Sequence, residues 1–198
     1  MLTNELRINS KKKLKEYLQK ESTLYECGLL QRIFCISEKA ILRKHQILLR
    51  KTEYYTNIHS VVLKNIYRFK LCLLQNKYSL HIPINCCEEG LHIMHLGPVL
   101  INNKAVLGKK CSLHVNSAIV ANGITDEAPH LGDNVVVGIG AVIIGPIYLA
   151  DNIAVGANAL VNRNFMEENI AIAGIPAKKI SNNGSLEWNK QKTQEVPQ

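Results

Sequence analysis

A repeat of six residues runs through the second half of the chain from Ile101 onward. Ten of its eleven positions hold Ile, Leu or Val, although only roughly three residues in ten of the chain are of these types. The eleven positions are Ile101, Leu107, Leu113, Ile119, Thr125, Leu131, Val137, Ile143, Leu149, Val155 and Val161. A period of six fits neither an amphipathic helix nor an alternating strand. It predicts a parallel β-helix with flat walls of about six residues, one aliphatic side chain pointing inward per wall.

The residues between these positions support the same fold. Small residues fill many slots four further on: Ala105, Cys111, Ser117, Gly123, Ala141 and Ala159. Turn-forming or small residues fill many slots one further on: Asn102, Gly108, Gly132, Gly138, Ala150 and Gly156. Three walls make a coil of about eighteen residues, and coils stack about 4.8 Å apart. The pattern over 82–166 therefore predicts four to five coils, with a loop leaving the prism where Thr125 interrupts the series.

The sequence divides into three parts. We expect an α-helical N-terminal region over 1–80, a β-helix domain over 81–181 and a polar, loosely packed or disordered tail over 182–198. A short helix is predicted at Ala40–Leu49 and another from about Ile58 to Lys77. The second helix carries one apolar stripe made of Ile58, Val62, Ile66, Phe69 and Leu73. The predicted fold class is thus mainly β, preceded by a small helical region.

Charge and cysteine content limit the partners and the compartment. The net charge is +8, and residues 1–51 contribute most of it, with twelve Lys or Arg against five Glu. No basic motif interleaved with aromatic residues accompanies this charge, so solvated helix faces are favoured over nucleic-acid binding. Charges interrupt the apolar stretch Val61–Leu74 too soon for a transmembrane helix. With no signal peptide and no CxxC pair among six cysteines, we expect a cytoplasmic protein with reduced thiols.

His95 is the residue most suggestive of chemistry. It occupies the slot six before Ile101, where the repeat calls for an inward aliphatic side chain, and a histidine there costs packing. A neutral imidazole suits general-base catalysis on a hydroxyl. The alternative is a structural histidine that caps the first coil through hydrogen bonds to the backbone.

Motifs at both ends of the repeat resemble a known family. At the start stand Ile82-Pro83, Gly90-Leu91, Ile93, His95, Gly97 and Ile101-Asn102, and at the end stands Gly174-Ile-Pro-Ala-Lys-Lys179. Over roughly 58–181 the chain is similar to the left-handed β-helix acyltransferases with hexapeptide repeats. Within them it resembles the serine acetyltransferase branch, and most closely the relatives of that branch in capsule and exopolysaccharide biosynthesis.

This resemblance implies an acetyl transfer from acetyl-CoA to a hydroxyl, with His95 as general base. Acetyl-CoA would lie in a groove between neighbouring prisms of a homotrimer, so that active sites are shared between subunits, and a dimer of trimers is left open. The implied cofactor-binding positions are Ala121, Asn122, Ile139, Ala157, Lys178 and Lys179. The two lysines would lie near the nucleotide phosphates; a solvated coil end is the alternative.

The sequence also departs from the serine acetyltransferase pattern. Met94 replaces an acidic residue before the catalytic histidine, Leu80 replaces an aspartate that pairs with it, and Ala128 replaces a second histidine. A free amino acid needs charged partners for its ammonium and carboxylate groups. The departures therefore favour a neutral acceptor such as a sugar, and they leave the orienting partner of His95 unknown. Glu88 is among the nearby candidates, together with Glu89 and His92.

The sequence thus predicts an acetyl-CoA-dependent O-acetyltransferase that acts by direct transfer on a sugar hydroxyl of a polysaccharide or its precursor. Asn102 and His114 are candidate acceptor-binding residues. The acceptor would be a glycan or a nucleotide- or lipid-linked sugar. The basic helices could mediate further assembly, dock onto membrane-bound lipid-linked glycans at the inner face of the membrane, or bind other synthesis enzymes. A serine O-acetyltransferase and a non-catalytic scaffold are the alternatives. A zinc site at His92, His95 and His114 is disfavoured, so no metal is expected.

Overall fold

The computed structural model describes residues 2–187. The helices are α1 Lys11–Ser22, α2 Leu29–Phe34, α3 Glu38–Asn57 and α4 Val61–Tyr78, with a 3-10 turn at Thr23–Tyr25. The strands are β1 Leu80–His81, β2 His92–Ile93, β3 Val99–Ile101, β4 Val106–Leu107, β5 Ser112–Leu113, β6 Ser117–Val120, β7 His130–Leu131, β8 Val136–Val137, β9 Val142–Ile144, β10 Tyr148–Leu149, β11 Ala154–Val155, β12 Leu160–Val161, β13 Ala171–Gly174 and β14 Ala177–Ser181.

The strands form the three walls of a prism. Wall A contains β1, β3, β6, β9 and β12, wall B contains β4, β7 and β10, and wall C contains β2, β5, β8, β11 and β13. Pairing within each wall is parallel, whereas β14 folds back antiparallel on β13. Regular coils advance by eighteen residues, as in the pairing of Val136 with Ala154. This architecture confirms the parallel β-helix that the period of six predicts.

The prism interior is the aliphatic ladder. All ten aliphatic positions of the repeat are buried, as are Ala105, Cys111, Ala141 and Ala159 in the slots for small residues. Burying an aliphatic side chain stabilises a fold by about 1.5–3 kcal/mol, so the ladder supplies much of the stability of the prism. The predicted loop is also present at 121–129, where Ile124 is 89% exposed. It adds six residues to one coil, because Val106 pairs with His130, twenty-four residues on.

The corners between walls rely on residues that tolerate a left-handed backbone. Several asparagines have φ between 54° and 61°: Asn116, Asn134, Asn152, Asn158 and Asn169. Asparagine adopts this region more readily than most residues. We name the corners by the walls that they join. The C–A corner comprises 94–98, 114–116, 138–141 and 156–159, and the A–B corner comprises 102–105, 121–129 and 145–147.

The helical region differs from its predicted form in two respects. Helix α3 has 20 residues rather than the ten or so predicted from Ala40–Leu49, since its second half buries the polar side chains of Arg50, Thr52 and Glu53. Hydropathy patterns do not reveal a buried polar face. The apolar stripe of α4 is present but faces outward: Val62 and Phe69 are exposed in the single chain.

The tail is partly packed. The amide and hydroxyl of Ser185 donate to the backbone oxygens of Asn152 and Asn134, and Ser185 is buried. The prediction of a loosely packed tail is therefore wrong at Ser185, because these hydrogen bonds hold the chain on the corner between walls B and C. The remainder of the predicted tail, 188–198, lies outside the described residues.

All six cysteines are free thiols. Cys86 and Cys87 are buried with their sulfur atoms 3.6 Å apart. The hydrogen bond between the Cys86 and Cys87 thiols, together with burial, raises the pKa of the Cys87 thiol. Burial raises the pKa of Cys111 to about 12. Thiols held protonated in this way are poor nucleophiles. Among residues 2–187, no helix is long and apolar enough to cross a bilayer.

Candidate active site at the C–A corner

Two histidines lie on successive coils at the C–A corner. His95 follows β2 and His114 follows β5, and their ring centroids are 6.4 Å apart. The side chain of His95 is 60% exposed, so its imidazole is accessible to a substrate. The structure therefore brings together the predicted base and one of the two predicted acceptor-binding residues.

His95 does not point into the prism, contrary to the expectation from the repeat. Ile93 pairs with Leu113 and is fully buried, so Ile93 fills the inward slot of the first coil. The corner 94–98 has two residues more than 114–116. These additional residues displace His95 outward and shift it out of phase with Ile101. The prediction that His95 occupies an inward slot is thus wrong. His95 is instead an exposed polar side chain at an irregular corner.

A carboxylate from the helical region contacts His95. Glu38 Oε2 lies 3.4 Å from His95 Nδ1, and Glu38 Oε1 accepts a hydrogen bond of 2.6 Å from the backbone N–H of Leu96. Glu38 is the first residue of α3, whose start is fixed by the side chain of Ser37 accepting from the Ala40 N–H. Sequence reasoning missed Glu38 because it lies 57 residues before His95 and no local motif marks it.

Of the three candidates that lie near His95 in sequence, Glu89 and His92 contact other residues. Glu89 forms an ion pair with Lys20 of α1 at 2.8 Å. Burial and the nearby Asp133 raise the pKa of the Glu88 carboxyl. The ring of His92 packs edge-on against Tyr25, with centroids 5.6 Å apart.

A buried ionic cluster fixes the helical region to the first coil. Arg50 is fully buried and pairs with Glu21 at 2.7 Å and with Glu53 at 2.9 Å. It also donates to the backbone oxygens of Cys87 and Glu88. Burial opposes the charge of Arg50, but the two carboxylates outweigh it and hold its pKa well above the ordinary value. Burial raises the pKa of Glu53 despite the opposing effect of Arg50.

Two further contacts hold the strand that leads to His95. The buried hydroxyl of Tyr25 accepts from the N–H of Ile93 at 2.7 Å and donates to its oxygen at 3.1 Å. The amide of Gln46 in α3 donates to the oxygen of Leu91 at 2.7 Å. The backbone just before His95 is therefore bonded to both the 3-10 turn and α3. Burial raises the pKa of Tyr25, so this hydroxyl stays protonated.

The predicted cofactor residues lie at two corners of the prism and at its end. Ile139 and Ala157 are exposed on the C–A corner, further along the prism from His114. There, a Cβ added to Gly138 would lie 2.7 Å from the oxygen of Val155, so this edge admits little side-chain bulk between coils. Ala121 and Asn122 lie on the A–B corner instead.

The lysines at the prism end differ from each other. Lys178 and Lys179 are both exposed on β14, but Lys179 pairs with Glu167. Within one chain, this end of the prism lies away from His95 and His114, since four strands of wall C separate β14 from β2.

Two predicted polar residues have structural tasks at the A–B corner. The side-chain oxygen of Asn102 accepts from the N–H of Lys104 at 2.9 Å. That of Asn122 accepts from the N–H groups of Ile124 and Thr125 in the loop. Within one chain, Asn102 and His95 lie at different corners, at opposite ends of β3.

The loop 121–129 covers a cavity of about 800 Å³ on this side of the prism. Lys104 forms an ion pair with Asp126 of the loop, and His130 and Tyr148 line the wall side of the cavity. Within residues 2–187, no group of three or more His, Cys, Asp or Glu side chains could hold a metal ion.

Comparisons with known proteins point to one group of enzymes. No family model matches the sequence. The serine acetyltransferase of Synechococcus elongatus (strain ATCC 33912 / PCC 7942 / FACHB-805) is 31% identical over 98 residues, 48% of this chain and 40% of that protein. The enzyme of the same name from Mycobacterium tuberculosis (strain ATCC 25618 / H37Rv) is 27% identical, over 48% of this chain and 44% of that protein. The matches thus span less than half of the relatives' length. Neither relative is an enzyme of capsule or exopolysaccharide synthesis, so that finer resemblance lacks support.

Solved structures extend the likeness to most of the chain. The serine acetyltransferase of Brucella abortus strain S19 superposes with a TM-score of 0.67 at 15% identity, covering 88% of this chain and 72% of that one. The same enzyme solved in complex with coenzyme A gives a TM-score of 0.66 at 14% identity, covering 88% and 70%. At this identity the likeness shows the fold alone. The fold is the left-handed β-helix of the hexapeptide-repeat transferases with a helical N-terminal region, as the sequence predicts.

Proposed function

We propose that this protein is an acetyl-CoA-dependent O-acetyltransferase with His95 as its general base. The observation that carries this proposal is an exposed imidazole at the irregular C–A corner of a transferase fold, with a carboxylate beside one ring nitrogen. The named relatives, which are serine acetyltransferases, support the reaction class.

His95 takes the proton of the acceptor hydroxyl through its Nε2 while the hydroxyl oxygen attacks the acetyl carbonyl carbon. The new C–O bond forms as the C–S bond to coenzyme A breaks, and the proton on the imidazole passes to the leaving thiolate. The transfer is direct. A covalent acyl-enzyme on Cys86, Cys87 or Cys111 is disfavoured, because all three thiols are buried.

Acetyl-CoA is the donor, held along the C–A corner past Ile139 and Ala157. The small residues Gly138 and Ala157 on this edge would let an extended pantetheine arm lie close to the backbone. A complex of the Brucella abortus enzyme with coenzyme A supports this choice of donor. Lys178 is the better candidate of the two lysines for the phosphates, because Glu167 already neutralises Lys179.

The active unit is a homotrimer in which each site combines the C–A corner of one chain with the A–B corner of its neighbour. This arrangement would bring Ala121, Asn122 and Asn102 of one chain toward His95 of another. The outward apolar stripe of α4 supports self-association, since large apolar side chains exposed side by side often mark an interaction site.

L-Serine is the acceptor that the relatives favour, and a neutral sugar hydroxyl is the second candidate. The sugar is favoured by Met94 and Ala128, which stand where serine acetyltransferases have an acidic residue and a histidine. Neither side chain can pair with the charges of an amino acid.

The test is mass spectrometry of acetylated products from acetyl-CoA with L-serine, with nucleotide sugars and with oligosaccharides. The proposal expects one acetyl unit on one of them, and kcat lower by about 10²- to 10⁴-fold in His95→Ala with coenzyme A binding retained. His81→Ala, at an exposed position on β1, is the control for loss of a histidine outside both corners. Absence of coenzyme A binding, or full activity of His95→Ala, would contradict the proposal.

A further inference from the structure

The base in the proposed reaction needs a second group to orient its ring. A neutral imidazole acts as a base through one nitrogen only when its proton resides on the other, and a hydrogen-bond acceptor there selects that tautomer. The position fifteen residues before His95 cannot supply this group. Leu80 occupies it, fully buried in the prism core and paired with Val99.

Glu38 has the geometry for this task. One oxygen is held by the Leu96 N–H at 2.6 Å, which directs the other toward His95 Nδ1, 3.4 Å away. The carboxylate therefore contacts both the imidazole and the peptide directly after it. Hydrogen bonds at catalytic residues are commonly longer before substrate binds than in the reacting complex.

The position of Glu38 is determined by the docking of α3. The Ser37 cap sets the first turn of the helix, and Gln46 and Arg50, about two and three turns further on, bond the first coil at Leu91 and Cys87. Both the base and the carboxylate are thus attached to the same rigid junction.

We propose that Glu38, a residue of the helical region, is the positioning residue of His95. Its carboxylate keeps the proton on Nδ1, presents Nε2 to the acceptor hydroxyl and stabilises the imidazolium that forms when that hydroxyl loses its proton. This inference rests on the proposed function. It makes the helical region part of the active site and not only a support for assembly.

The pair contributes little to folding. Glu38 is 44% exposed and His95 60% exposed, and exposed ion pairs stabilise proteins by less than about 1 kcal/mol. A loss of activity without a loss of stability is therefore the signature of a positioning role.

The test compares Glu38→Gln with Glu26→Gln, which removes an exposed carboxylate elsewhere in the helical region. The glutamine can still accept from the Leu96 N–H but is uncharged. We expect kcat to fall about 10- to 100-fold in Glu38→Gln, with KM for acetyl-CoA and the melting temperature unchanged. Selective ¹⁵N labelling of histidine, with the His95 signal assigned from His95→Ala, should show the proton on Nδ1 in the native protein and its partial transfer to Nε2 in Glu38→Gln. Glu26→Gln should match the native protein in every measurement.

Three results would overturn the inference. One is a kcat for Glu38→Gln within about twofold of the native value while His95→Ala is inactive. Another is an unchanged tautomer of His95 despite a lower kcat. The third is a raised KM for the acceptor at constant kcat, which would make Glu38 an acceptor ligand. Full activity of His95→Ala would instead contradict the proposed function itself.

Discussion

The prism and the helical region are stabilised in different ways. Each prism coil contacts the coils before and after it. The same contact recurs along its core, where Ile, Leu or Val of one coil packs on Ile, Leu or Val of the next. The helical region shares an apolar core with the first coils through Tyr25, Leu42 and Leu49, and it is also attached by specific polar bonds, of which those of Arg50 are the most buried. In the prism many similar contacts between neighbouring coils share the stabilisation, so the loss of one leaves the others in place. The buried ionic cluster occurs once in the helical region, and the loss of one partner leaves buried charges unpaired.

This difference suggests a division of labour. Aliphatic repeats build a rigid edge that presents His95 and His114, but they cannot supply a charged group beside them. The helical region supplies that group through Glu38, and it relies on contacts between residues 28 to 69 positions apart in the chain. Four predictions test whether the two regions are separable in stability and joined in activity.

The largest effect is expected from Arg50→Ala. It leaves the buried carboxylates of Glu21 and Glu53 without their cation, which should destabilise the protein by about 3–5 kcal/mol. Urea unfolding at fixed protein concentration measures the loss. Hydrogen exchange should show α1 and α3 losing protection while the later coils of the prism keep theirs. Arg68→Ala, an exposed arginine of α4, is the control and should change stability by less than about 0.5 kcal/mol. Equal loss of protection in both regions would show that they are not separable.

A core deletion two coils away from His95 should lower stability and leave kcat unchanged. Ile143 is fully buried between Ile119 and Val161 on wall A. Ile143→Ala should cost about 2–5 kcal/mol, with a lower melting temperature. At a temperature where the variant is folded, kcat should equal the native value. A decrease of more than about threefold would mean that packing in the later coils reaches His95.

The core of the helical region should be sensitive to acid. Burial lowers the pKa of His45 from 6.5 to about 4, so this histidine stays neutral in the fold while the unfolded chain takes up a proton. The stabilisation is complete above pH 6.5 and is lost as the pH falls toward 4, at about 1.4 kcal/mol per pH unit in that window. His45→Gln should flatten this dependence in urea unfolding at several pH values. His81→Gln, at an exposed position, should retain the native slope; a native slope in His45→Gln would contradict the assignment.

The smallest stability effect is expected from Ser37→Ala. Loss of the cap should cost about 1 kcal/mol, yet it loosens the first turn that holds Glu38, so kcat should fall several-fold. Ser10→Ala removes the corresponding cap of α1, where the side chain accepts from the Lys13 N–H at 3.2 Å. It should cost a similar free energy with kcat unchanged. Equal kcat values for the two variants would show that the cap at the start of α3 does not affect the active site.

Much of the prism follows from local sequence pattern. The period of six correctly places the aliphatic residues of the core, most of the small residues between them and the loop at 121–129. It does so because each coil packs on its neighbours in the same way. The prediction failed at the first coil. Two additional residues at 94–98 shift the phase, so Ile93 and not His95 faces inward. A period measured from the regular coils cannot detect an insertion at their edge.

The helical region shows the opposite behaviour. Apolar spacing indicates its helices. It does not predict the length of α3, because the buried face of that helix carries polar residues such as Arg50 and Glu53, and it does not predict that the stripe of α4 faces outward. Polar side chains become buried only when their partners arrive from distant parts of the chain.

The amino-acid order alone therefore determined the β-helix and singled out His95 as the candidate base, since both depend on short repeats and motifs. Only the tertiary structure revealed that His95 faces outward, that Ala121 and Asn122 lie at another corner from Ile139, and that Glu38 reaches the imidazole. These features depend on docking a helix against a coil, through apolar packing and buried hydrogen bonds between residues distant in the chain, which no local pattern encodes.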